Sequence, residues 1–409
     1  MILLQVNTTA NWGSTGKIAE QIGEQVMRRG GKSYIAYGYY ANNCRSELIK
    51  IGSDISIRWH VRFGKWLDKH GLLSRIATNK LIRKIERIKP DIIHLHNLHG
   101  YFINYKILFE YLNRSNIPVV WTLHDCWSFT GRCAHYMFTG CEKWKSACHN
   151  CQYRKTYPKT YIDRSSRNHA LKRELFTSLG ERLTLVPVSE WLAGEARQSF
   201  FANTHIHTIH NGIDINIFRN TDKLVARKAL GLDAGKRIII GVASAWGISK
   251  GINDFYKLRE MLPAEQYDII LVGLNDKQLE TLPEGIIGIK RTQDAAELAL
   301  YYSAADIVLS LSRAETFGLT IAEGMACGTP AIVYNTTAVP ELITSETGLI
   351  IDNIGDIYSL TAAIETICSN GKEHYSEACR KHAEQNFDKD KCFAKYIELY
   401  NEILTNNKK

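Results

Sequence analysis

Two carboxylates, Glu315 and Glu323, carry the clearest chemical pattern in this sequence, within SLSRAETFGLTIAEGMACGTP at 310–330. They flank a Phe-Gly-Leu turn that follows an apolar run and precedes a helical pattern. Backbone N–H groups at the start of a helix have no partners within it and can bind a phosphate or sugar oxygen. Glu323 could accept two hydrogen bonds from a ribose diol, and Glu315 could do so for a hexose. Taken only as two isolated carboxylates, they are better explained as a helix cap or first-turn acid and a solvated helix residue.

The elements that position these carboxylates are short apolar runs that alternate with helical patterns. The runs are ILLQV, SYIAYG, DIIHLHN, PVVWTLHD, LTLVPVS, RIIIGVAS, YDIILVG, IIGIKR, DIVLSLS and TPAIVYN. This alternation predicts βαβ units around parallel sheets, and 409 residues are enough for two domains. We expect an α/β protein with two doubly wound domains facing across a cleft, at 1–210 and 211–385. Residues 386–409 are predicted to form a helix that returns to the first domain.

A glycine-containing loop follows the first predicted strand, in NWGSTGKIAEQI at 11–22. It departs from the nucleotide-binding pattern G-x-x-x-x-G-K-[ST], because Asn11 occupies the first glycine position and Ile18 the hydroxyl position. What remains is a Gly/Ser/Thr loop before a helix predicted to run from about Lys17 to Arg29. Such a loop is typical of an anion site at a helix N-terminus.

Charge is distributed unevenly along the chain. Residues 1–190 contain 29 Lys and Arg against 14 Asp and Glu, and residues 191–409 contain 22 against 28, so +15 is followed by −6. A basic half predicts an anionic partner such as a lipid headgroup, a diphosphate or a nucleic acid. Within it, IRWHVRFGKWLDK at 57–69 places basic and aromatic residues at helical spacing. This helix either lies at a membrane interface or packs its aromatic side chains on the protein's own core.

The sequence contains no stretch of about 18 apolar residues without charges. Its beginning, MILLQVNTT, has no basic region and soon turns polar, unlike a secretory signal. We therefore expect a protein without a membrane span that stays in the cytoplasm.

Five of the ten cysteines crowd into residues 126–151, within a predicted insertion at 126–160 of the first domain. Four of them end in C-x2-C, a spacing with which two thiolates can bind one zinc ion. The wider spacings are unusual for a zinc ribbon, so a structural zinc site, free or buried thiols and a regulatory disulfide all stay open. The candidate ligands are Cys133, Cys141, Cys148 and Cys151.

In the context S-x-x-E-x-F-G-L-x-x-x-E-x-M-A-C-G-x-P, the two glutamates resemble the E-x7-E signature of retaining glycosyltransferases of the GT-B fold, family four. The resemblance extends over nearly the whole chain, through HLHNLHGYF (94–102), VVWTLHDCWSFTGRC (119–133), VPVSEWL (186–192), IHNGID (209–214) and SKGINDF (249–255). WTLHD-x-WSFTGRC followed by GCEKWKSACHNC is further similar to bacterial exopolysaccharide and O-antigen transferases of the colanic-acid galactosyltransferase type.

The resemblance implies a nucleotide-sugar donor in the second domain and an acceptor in the first. It implies that Glu323 contacts the donor ribose, Glu315 the transferred sugar and Lys250 the diphosphate. An ammonium there offsets charge growing on the leaving group, so catalysis would need no metal ion. The glycine-rich loop would reach the donor phosphates. The implied donor-binding residues are Gly13, Ser14, Thr15, Gly16, Ser244, Lys250, Arg291, Thr292, Glu315, Thr316, Phe317, Gly318, Leu319 and Glu323.

The sequence departs from the family at the phosphate clamp. The family usually has an Arg five or six residues before the lysine that Lys250 matches, where this chain has Ala245 and Ser244. Arg291 or Arg313 could take its place.

His124, in TLHD at 122–125, matches the family histidine beside the reacting sugar, so the implied catalytic residues are His124, Lys250 and Glu315. A structural histidine held by Asp125 is the alternative. Another strand end carries three more histidines, of which the first two share a face only if that strand continues past them. These are His94, His96 and His99.

The expected reaction transfers a hexose with retention of configuration from a nucleotide-sugar, with a UDP-sugar and especially UDP-galactose favoured. The expected acceptor is an undecaprenyl-diphosphate-linked glycan in bacterial surface polysaccharide synthesis, which would place the enzyme peripherally at the cytoplasmic face of the inner membrane. No cofactor is expected for catalysis. A GT-B sugar-nucleotide epimerase or phosphorylase is the alternative. A zinc-containing nucleic-acid-binding protein is more remote, because it leaves the acidic second half and its sugar-type motif unexplained.

Overall fold

A computed structural model describes residues 1–406 and divides the chain into two compact units. The first unit consists of Met1–His210 and the chain from Cys392, and the second consists of Asn211–Lys391. Each contains one sheet whose neighbouring strands are all parallel. The predicted α/β architecture with two Rossmann-like domains is therefore confirmed.

The first unit is built on a seven-stranded sheet. Its strands are β1 (Ile2–Asn7), β2 (Lys32–Tyr37), β3 (Glu47–Lys50), β4 (Ile92–Leu95), β5 (Val119–Leu123), β6 (Leu183–Pro187) and β7 (His205–Ile206). The strand order is β3-β2-β1-β4-β5-β6-β7. The helices between them are α1 (Gly13–Arg28), α2 (Asp54–Leu67), α3 (Arg75–Ile88), α4 (Tyr105–Arg114), α5 (Ser165–Thr177) and α6 (Glu190–Arg197).

Helix α1 begins four residues earlier than predicted. The segment from Gly13 to Gly16, expected as a loop, forms its first turn. The preceding loop is closed onto this turn, because the Asn11 N–H donates to the Gly16 carbonyl at 2.9 Å. A Cβ at Gly16 would lie 2.7 Å from the hydroxyl oxygen of Thr9, so glycine permits this close approach. The tertiary contact overrides the weak helix propensity of glycine, serine and threonine.

The second unit is built on a six-stranded sheet. Its strands are β8 (Arg237–Val242), β9 (Tyr267–Val272), β10 (Ile286–Ile289), β11 (Ile307–Ser310), β12 (Ala331–Tyr334) and β13 (Gly348–Ile351). The strand order is β10-β9-β8-β11-β12-β13. Its helices are α7 (Lys223–Leu230), α8 (Ile252–Met261), α9 (Asp276–Glu280), α10 (Ala295–Ala304), α11 (Leu319–Ala326), α12 (Ile357–Asn370) and α13 (Lys372–Asn386).

Both sheets change direction of winding at one place. The order reverses between β1 and β4 in the first unit and between β8 and β11 in the second. In open α/β sheets, ligands bind beyond the carboxyl ends of the strands at such a reversal. A ligand site is therefore expected at the segments that follow these four strands.

The last helix, α14 (Lys389–Asn406), contributes to the core of the first unit. Phe393, Tyr396 and Tyr400 are buried in one cluster with Leu3 of β1 and Ile22 of α1. The C-terminal segment is therefore part of the domain that contains the N-terminus. Among residues 1–406, no helix is both long enough and apolar enough to cross a membrane.

Candidate active site

In the second unit, Lys250 and Glu315 contact each other directly. The Lys250 ammonium forms an ion pair and hydrogen bond with a carboxylate oxygen of Glu315. Lys250 lies at the end of a short 3-10 helix after β8, and Glu315 follows β11, the strand beside β8. The pair therefore lies where the strand order reverses. Both side chains keep part of their surface exposed, so a ligand can reach them.

The turn that carries Lys250 packs closely against the chain after β11. Gly251 has φ +70°, and a Cβ at this position would collide with the carbonyl oxygen of Leu311. The Arg313 N–H donates to the carbonyl of Ser249 at 2.9 Å. A glycine directly after Lys250 is thus what allows the two segments to meet.

The backbone of Glu315 is held by the segment after β12. Its N–H donates to the Thr337 hydroxyl at 2.9 Å, and its carbonyl accepts from the Ala338 N–H at 3.2 Å. Thr337 has φ +51°, in the left-handed region that non-glycine residues rarely adopt. Sequence analysis missed Thr337, because its role depends on this backbone conformation and no local motif signals it.

Glu323 lies on α11, which begins directly after Gly318 as the turn predicted. Its carboxylate accepts a hydrogen bond from the Tyr302 hydroxyl at 3.0 Å. Burial, reinforced by the charge of Glu323, raises the pKa of Tyr302 well above its ordinary value, so the hydroxyl stays a donor. The contact orients the carboxylate while leaving Glu323 partly exposed. Within the turn, Phe317 is buried against Phe387 with ring centroids 5.8 Å apart.

Of the two arginines considered for the phosphate clamp, Arg313 lies close to the Lys250 turn. Its guanidinium forms an ion pair with the buried carboxylate of Asp254 at 3.3 Å, and the Tyr334 hydroxyl donates to the same carboxylate oxygen at 3.2 Å. Part of the Arg313 side chain stays exposed. The Arg313 backbone therefore lies beside the Lys250 turn, and its guanidinium is directed to Asp254 on α8.

The other predicted donor residues of this unit are less closely connected to the pair. Arg291 and Thr292 follow β10, which lies two positions from β8 in the sheet. Ser244 follows β8 and is exposed. The sheet order thus favours Arg313 over Arg291 as the neighbour of Lys250.

In the first unit, histidines at the ends of β4 and β5 form a buried hydrogen-bonded chain. Nδ1 of His96 lies 3.1 Å from Nε2 of His124, and Nε2 of His96 lies 3.1 Å from the amide oxygen of Gln5. The Gln5 amide nitrogen donates to the carbonyl of Ala19 at 2.7 Å, which directs the amide oxygen toward His96. An amide oxygen only accepts, so His96 donates from Nε2 and accepts at Nδ1 from His124. This network assigns His124 the Nε2–H tautomer, with Nδ1 as the acceptor.

These histidines are neutral near pH 7. Burial lowers the pKa of His124 to about 4, although the charge of Asp125 opposes the change. Burial also lowers the pKa values of His94 and His96 well below the ordinary value. A neutral His124 can accept a hydrogen bond and so orient a hydroxyl group.

Asp125 holds His99. One carboxylate oxygen lies 2.7 Å from Nε2 of His99, and the other accepts from the Trp127 N–H at 2.9 Å. Burial alone would raise the pKa of Asp125, but the charge and hydrogen bond of His99 lower it to about 2. The hydrogen bond that sets the tautomer of His124 is donated by His124 to His96, which sequence analysis did not assign to the site.

His94 connects this chain to the C-terminal helix. Its ring lies beside that of His96, with centroids 4.1 Å apart, so the two side chains share a face. Nδ1 of His94 lies 2.6 Å from the Tyr400 hydroxyl, and Nε2 lies 2.7 Å from the Thr122 hydroxyl. The Tyr396 hydroxyl is 2.9 Å from that of Thr122. Helix α14 is thus hydrogen-bonded to His94 and Thr122, and the His94 ring in turn contacts that of His96.

We expect acid to destabilise the first unit through these histidines. The unfolded chain protonates a histidine near pH 6.5, whereas folded His124 resists protonation down to about pH 4. The free energy of unfolding should therefore fall as the pH decreases through this window, by up to about 1.4 kcal/mol per pH unit for each such histidine. Urea unfolding followed by tryptophan fluorescence measures this free energy. The signal reports mainly on the first unit, because seven of the eight tryptophans precede His210. The variant His124→Asn should show a shallower pH dependence than His205→Asn at an exposed position; equal slopes would contradict the assignment.

The predicted glycine-rich segment lies at the reversal point of the first unit. Gly13 and Ser14 are exposed at the N-terminus of α1. The side-chain amide of Asn7, at the end of β1, donates to the Thr15 hydroxyl at 3.4 Å, and its oxygen accepts from the Asn97 N–H at 3.3 Å. These contacts link the start of α1 to the segments after β1 and β4.

The cysteine-rich segment contains two short 3-10 helices, Met137–Thr139 and Lys143–Lys145. The sulfur of Cys151 accepts a hydrogen bond from the Arg132 guanidinium at 3.6 Å. In the part of the chain that the structure describes, no three His, Cys, Asp or Glu side chains are placed to hold a metal ion. The zinc site stays a prediction, which metal analysis of the purified protein can check. The four candidate ligands line one cavity of about 260 Å³: Cys133, Cys141, Cys148 and Cys151.

The two Rossmann-like units and their residues at the strand-order reversals define a GT-B glycosyltransferase. Residues 18–217 match the domain described as Glycosyltransferase Family 4, and residues 222–386 match the domain described as Glycosyl transferases group 1. The chain belongs to this family of glycosyltransferases.

Particular relatives support this assignment along most of the chain. The protein is 26% identical over 371 residues to the colanic acid biosynthesis glycosyl transferase WcaC of Escherichia coli, which covers 85% of this chain and 86% of that protein. Sucrose-phosphate synthase from Thermosynechococcus elongatus superposes with a TM-score of 0.73 at 16% identity over 99% of both chains. HepE from Anabaena in complex with UDP superposes with a TM-score of 0.68 at 16% identity, over 98% of this chain and 99% of that one. The structural matches establish the fold.

Proposed function

We propose that the protein transfers a hexose, with retention of configuration, from a UDP-sugar to a lipid-linked oligosaccharide. The observation that carries the proposal is the Lys250–Glu315 pair at the reversal between β8 and β11, because Glu315 begins the E-x7-E segment that leads into α11 and Glu323. UDP-galactose is the first donor to test. The UDP complex of HepE and the role named for WcaC support a UDP-sugar and a bacterial surface polysaccharide.

In this proposal, the charged groups of the second unit bind the donor. An ammonium has three N–H donors, so Lys250 can bind a diphosphate oxygen and keep its bond to Glu315. It then offsets the negative charge that grows on the departing nucleoside diphosphate. Arg313, beside the same turn, adds positive charge. The N–H groups at the start of α11 receive sugar or phosphate oxygens, and Glu323 accepts hydrogen bonds from the ribose.

The reaction itself needs no nucleophile from the protein. The acceptor hydroxyl attacks on the face that the leaving diphosphate departs from, through an oxocarbenium-like state, and a phosphate oxygen takes the acceptor's proton. His124 lies near the reacting sugar and orients a sugar hydroxyl. No step in this scheme uses a metal ion, so we expect transfer to persist in EDTA.

We further propose that the acceptor is an undecaprenyl-diphosphate-linked glycan and that the enzyme works peripherally at the cytoplasmic face of the inner membrane. The excess of Lys and Arg in residues 1–190 supports an anionic acceptor at an anionic surface. This scheme requires no nucleic-acid partner.

A thermal-shift screen of UDP-, GDP- and ADP-sugars tests the donor, because a ligand that binds only the folded state raises its melting temperature. The donor found is then incubated with a lipid-linked acceptor, and the product is analysed for mass and anomeric configuration. We expect UDP-sugars to stabilise the protein and the product to retain the donor's configuration. An epimerised nucleotide-sugar, or a sugar phosphate formed with inorganic phosphate, would replace the proposal by one of the two alternatives.

A further inference from the structure

Helix α2 exposes the aromatic residues of IRWHVRFGKWLDK. Its buried side chains are those of Ile57 and His60, with buried Gly64 on the same side. Since successive helical residues are rotated by about 100°, positions 55, 59, 63 and 66 lie on the opposite side. The side chains there are large, apolar and exposed by 45–68%: Ile55, Trp59, Phe63 and Trp66. The aromatic residues are thus not packed on the protein's own core, which was one of the two possibilities that the sequence left open.

A second segment extends this surface. The Tyr161 ring lies 5.4 Å from that of Trp66 and is itself exposed, as is Ile162. The Tyr161 N–H and the Thr160 hydroxyl both donate to the carbonyl of Lys65, at 3.1 and 2.9 Å, which fixes this segment to the end of α2. We call the combined surface the aromatic face; its members are Ile55, Trp59, Phe63, Trp66, Tyr161 and Ile162.

The charge beside the aromatic face is mostly positive. Arg58 and Arg62 are exposed on α2, and Lys65 is half-buried. Two exposed acids adjoin the face, Asp54, which pairs with Lys50 at 3.5 Å, and Asp163, whereas Asp68 is fully buried and bonded within the domain. Three residues beyond Trp66, Lys69 borders a cavity of about 640 Å³. Five basic side chains face this cavity against two acidic ones, and the basic ones are Lys69, Arg75, Lys106, Arg164 and Arg167.

We propose that the aromatic face binds the surface of an anionic lipid bilayer. Tryptophan and tyrosine prefer the headgroup region, because an apolar ring can be buried while its polar atom stays hydrated. An apolar face beside Lys and Arg is typical of helices that lie in the membrane interface. Basic residues near an anionic surface strengthen this binding through electrostatic attraction. A soluble acidic protein would complement the charge but would leave the large apolar rings unexplained.

This inference deepens the proposed function, since a lipid-linked acceptor would bring the enzyme to a bilayer. Only the biological role of membrane binding rests on the proposed function. Vesicle binding needs neither donor nor acceptor. The two proposals can therefore fail separately, because transfer to a short, water-soluble acceptor can be measured without a membrane.

The test uses the full chain and sedimentation with vesicles of phosphatidylcholine containing 30% phosphatidylglycerol. We expect binding that weakens at high salt and on pure phosphatidylcholine, and a blue shift of tryptophan fluorescence. The triple variant Trp59→Ser, Phe63→Ser, Trp66→Ser should bind at least 10-fold more weakly. Tyr358→Ser, which removes an exposed aromatic residue from the second unit, should bind like the unchanged protein.

A second variant, Arg58→Gln with Arg62→Gln, separates charge from apolar contact and should lower binding to the anionic vesicles while leaving the aromatic side chains in place. All variants should keep their melting temperature, since the changed side chains are exposed. Absence of vesicle binding by the unchanged protein, or equal binding by the triple variant, would overturn the proposal. A concentration-dependent dimer that the triple variant abolishes, without vesicle binding, would assign the aromatic face to self-association instead.

Discussion

Replacing Lys250 by methionine should lower kcat/KM for sugar transfer by about 100- to 1,000-fold, the range for removing one preorganised group that stabilises transition-state charge. Methionine keeps much of the side-chain volume and removes the ammonium. As the sugar leaves the proposed donor, negative charge grows on the departing nucleoside diphosphate. Lys250 lies at the strand-order reversal, where that charge would develop. The loss should therefore be larger in kcat than in the affinity for the donor. Steady-state transfer rates, together with calorimetric donor binding, measure the two separately.

The Lys250→Met variant also leaves Glu315 without its ion-pair partner. The effect of the unpaired Glu315 on the transfer rate has to be separated from the loss of the ammonium itself. The double variant Lys250→Met, Glu315→Gln removes both charges and forms a double-mutant cycle with the two single variants. Lys257→Met is a matched control, because Lys257 is exposed on α8 of the same unit. Full activity of Lys250→Met with an unchanged melting temperature would remove Lys250 from the catalytic residues.

Replacing Glu323 by alanine should weaken binding of UDP and of the UDP-sugar by about 10- to 100-fold. A hydrogen bond to a charged group is worth about 1.5–3 kcal/mol, and a factor of ten in affinity corresponds to about 1.4 kcal/mol. Because the proposed contact is with the ribose, UDP and the complete UDP-sugar should lose similar affinity. Titration calorimetry with both ligands measures this.

The hydrogen bond from Tyr302 makes alanine at position 323 a demanding variant. Its buried hydroxyl would lose its acceptor, which costs about 1–3 kcal/mol of stability. Glu323→Gln keeps a carbonyl oxygen for Tyr302 and removes only the charge, so it should fold normally and still bind the donor more weakly. Glu284→Ala changes an exposed glutamate of the same unit and should bind normally. Normal donor binding by both Glu323 variants would exclude the ribose contact.

The two variants probe different parts of one arrangement. Lys250 and Glu315 are joined across β8 and β11, whereas Glu323 is oriented from α10 through Tyr302. A donor that contacts all three would be held from separate elements of the second unit. Loss of catalysis in one variant and of affinity in the other would therefore support distinct roles for the diphosphate and ribose contacts.

The sequence by itself determined the architecture and the local form of the E-x7-E segment. Alternating apolar runs and helical patterns predicted parallel α/β domains, because strand and helix periods are properties of neighbouring residues. The turn before α11 was predictable for the same reason, since Gly318 directly precedes the helical pattern. The start of α1 was predicted less well. The hydrogen bond that the Asn11 N–H donates to the Gly16 carbonyl, together with close packing at Gly16, extends the helix through residues with low helix propensity.

Only the tertiary structure decided which side chains meet. Lys250 and Glu315 are 65 positions apart, and they pair because β8 and β11 are neighbours in the sheet. The tautomer of His124 likewise depends on Gln5, which reaches it through His96 from β1. The exposure of Trp59 on α2 was also open, because the same helical period fits a face packed on the core and a face turned to solvent. Spacing along a chain defines the faces of an element, but strand order and packing determine what each face contacts.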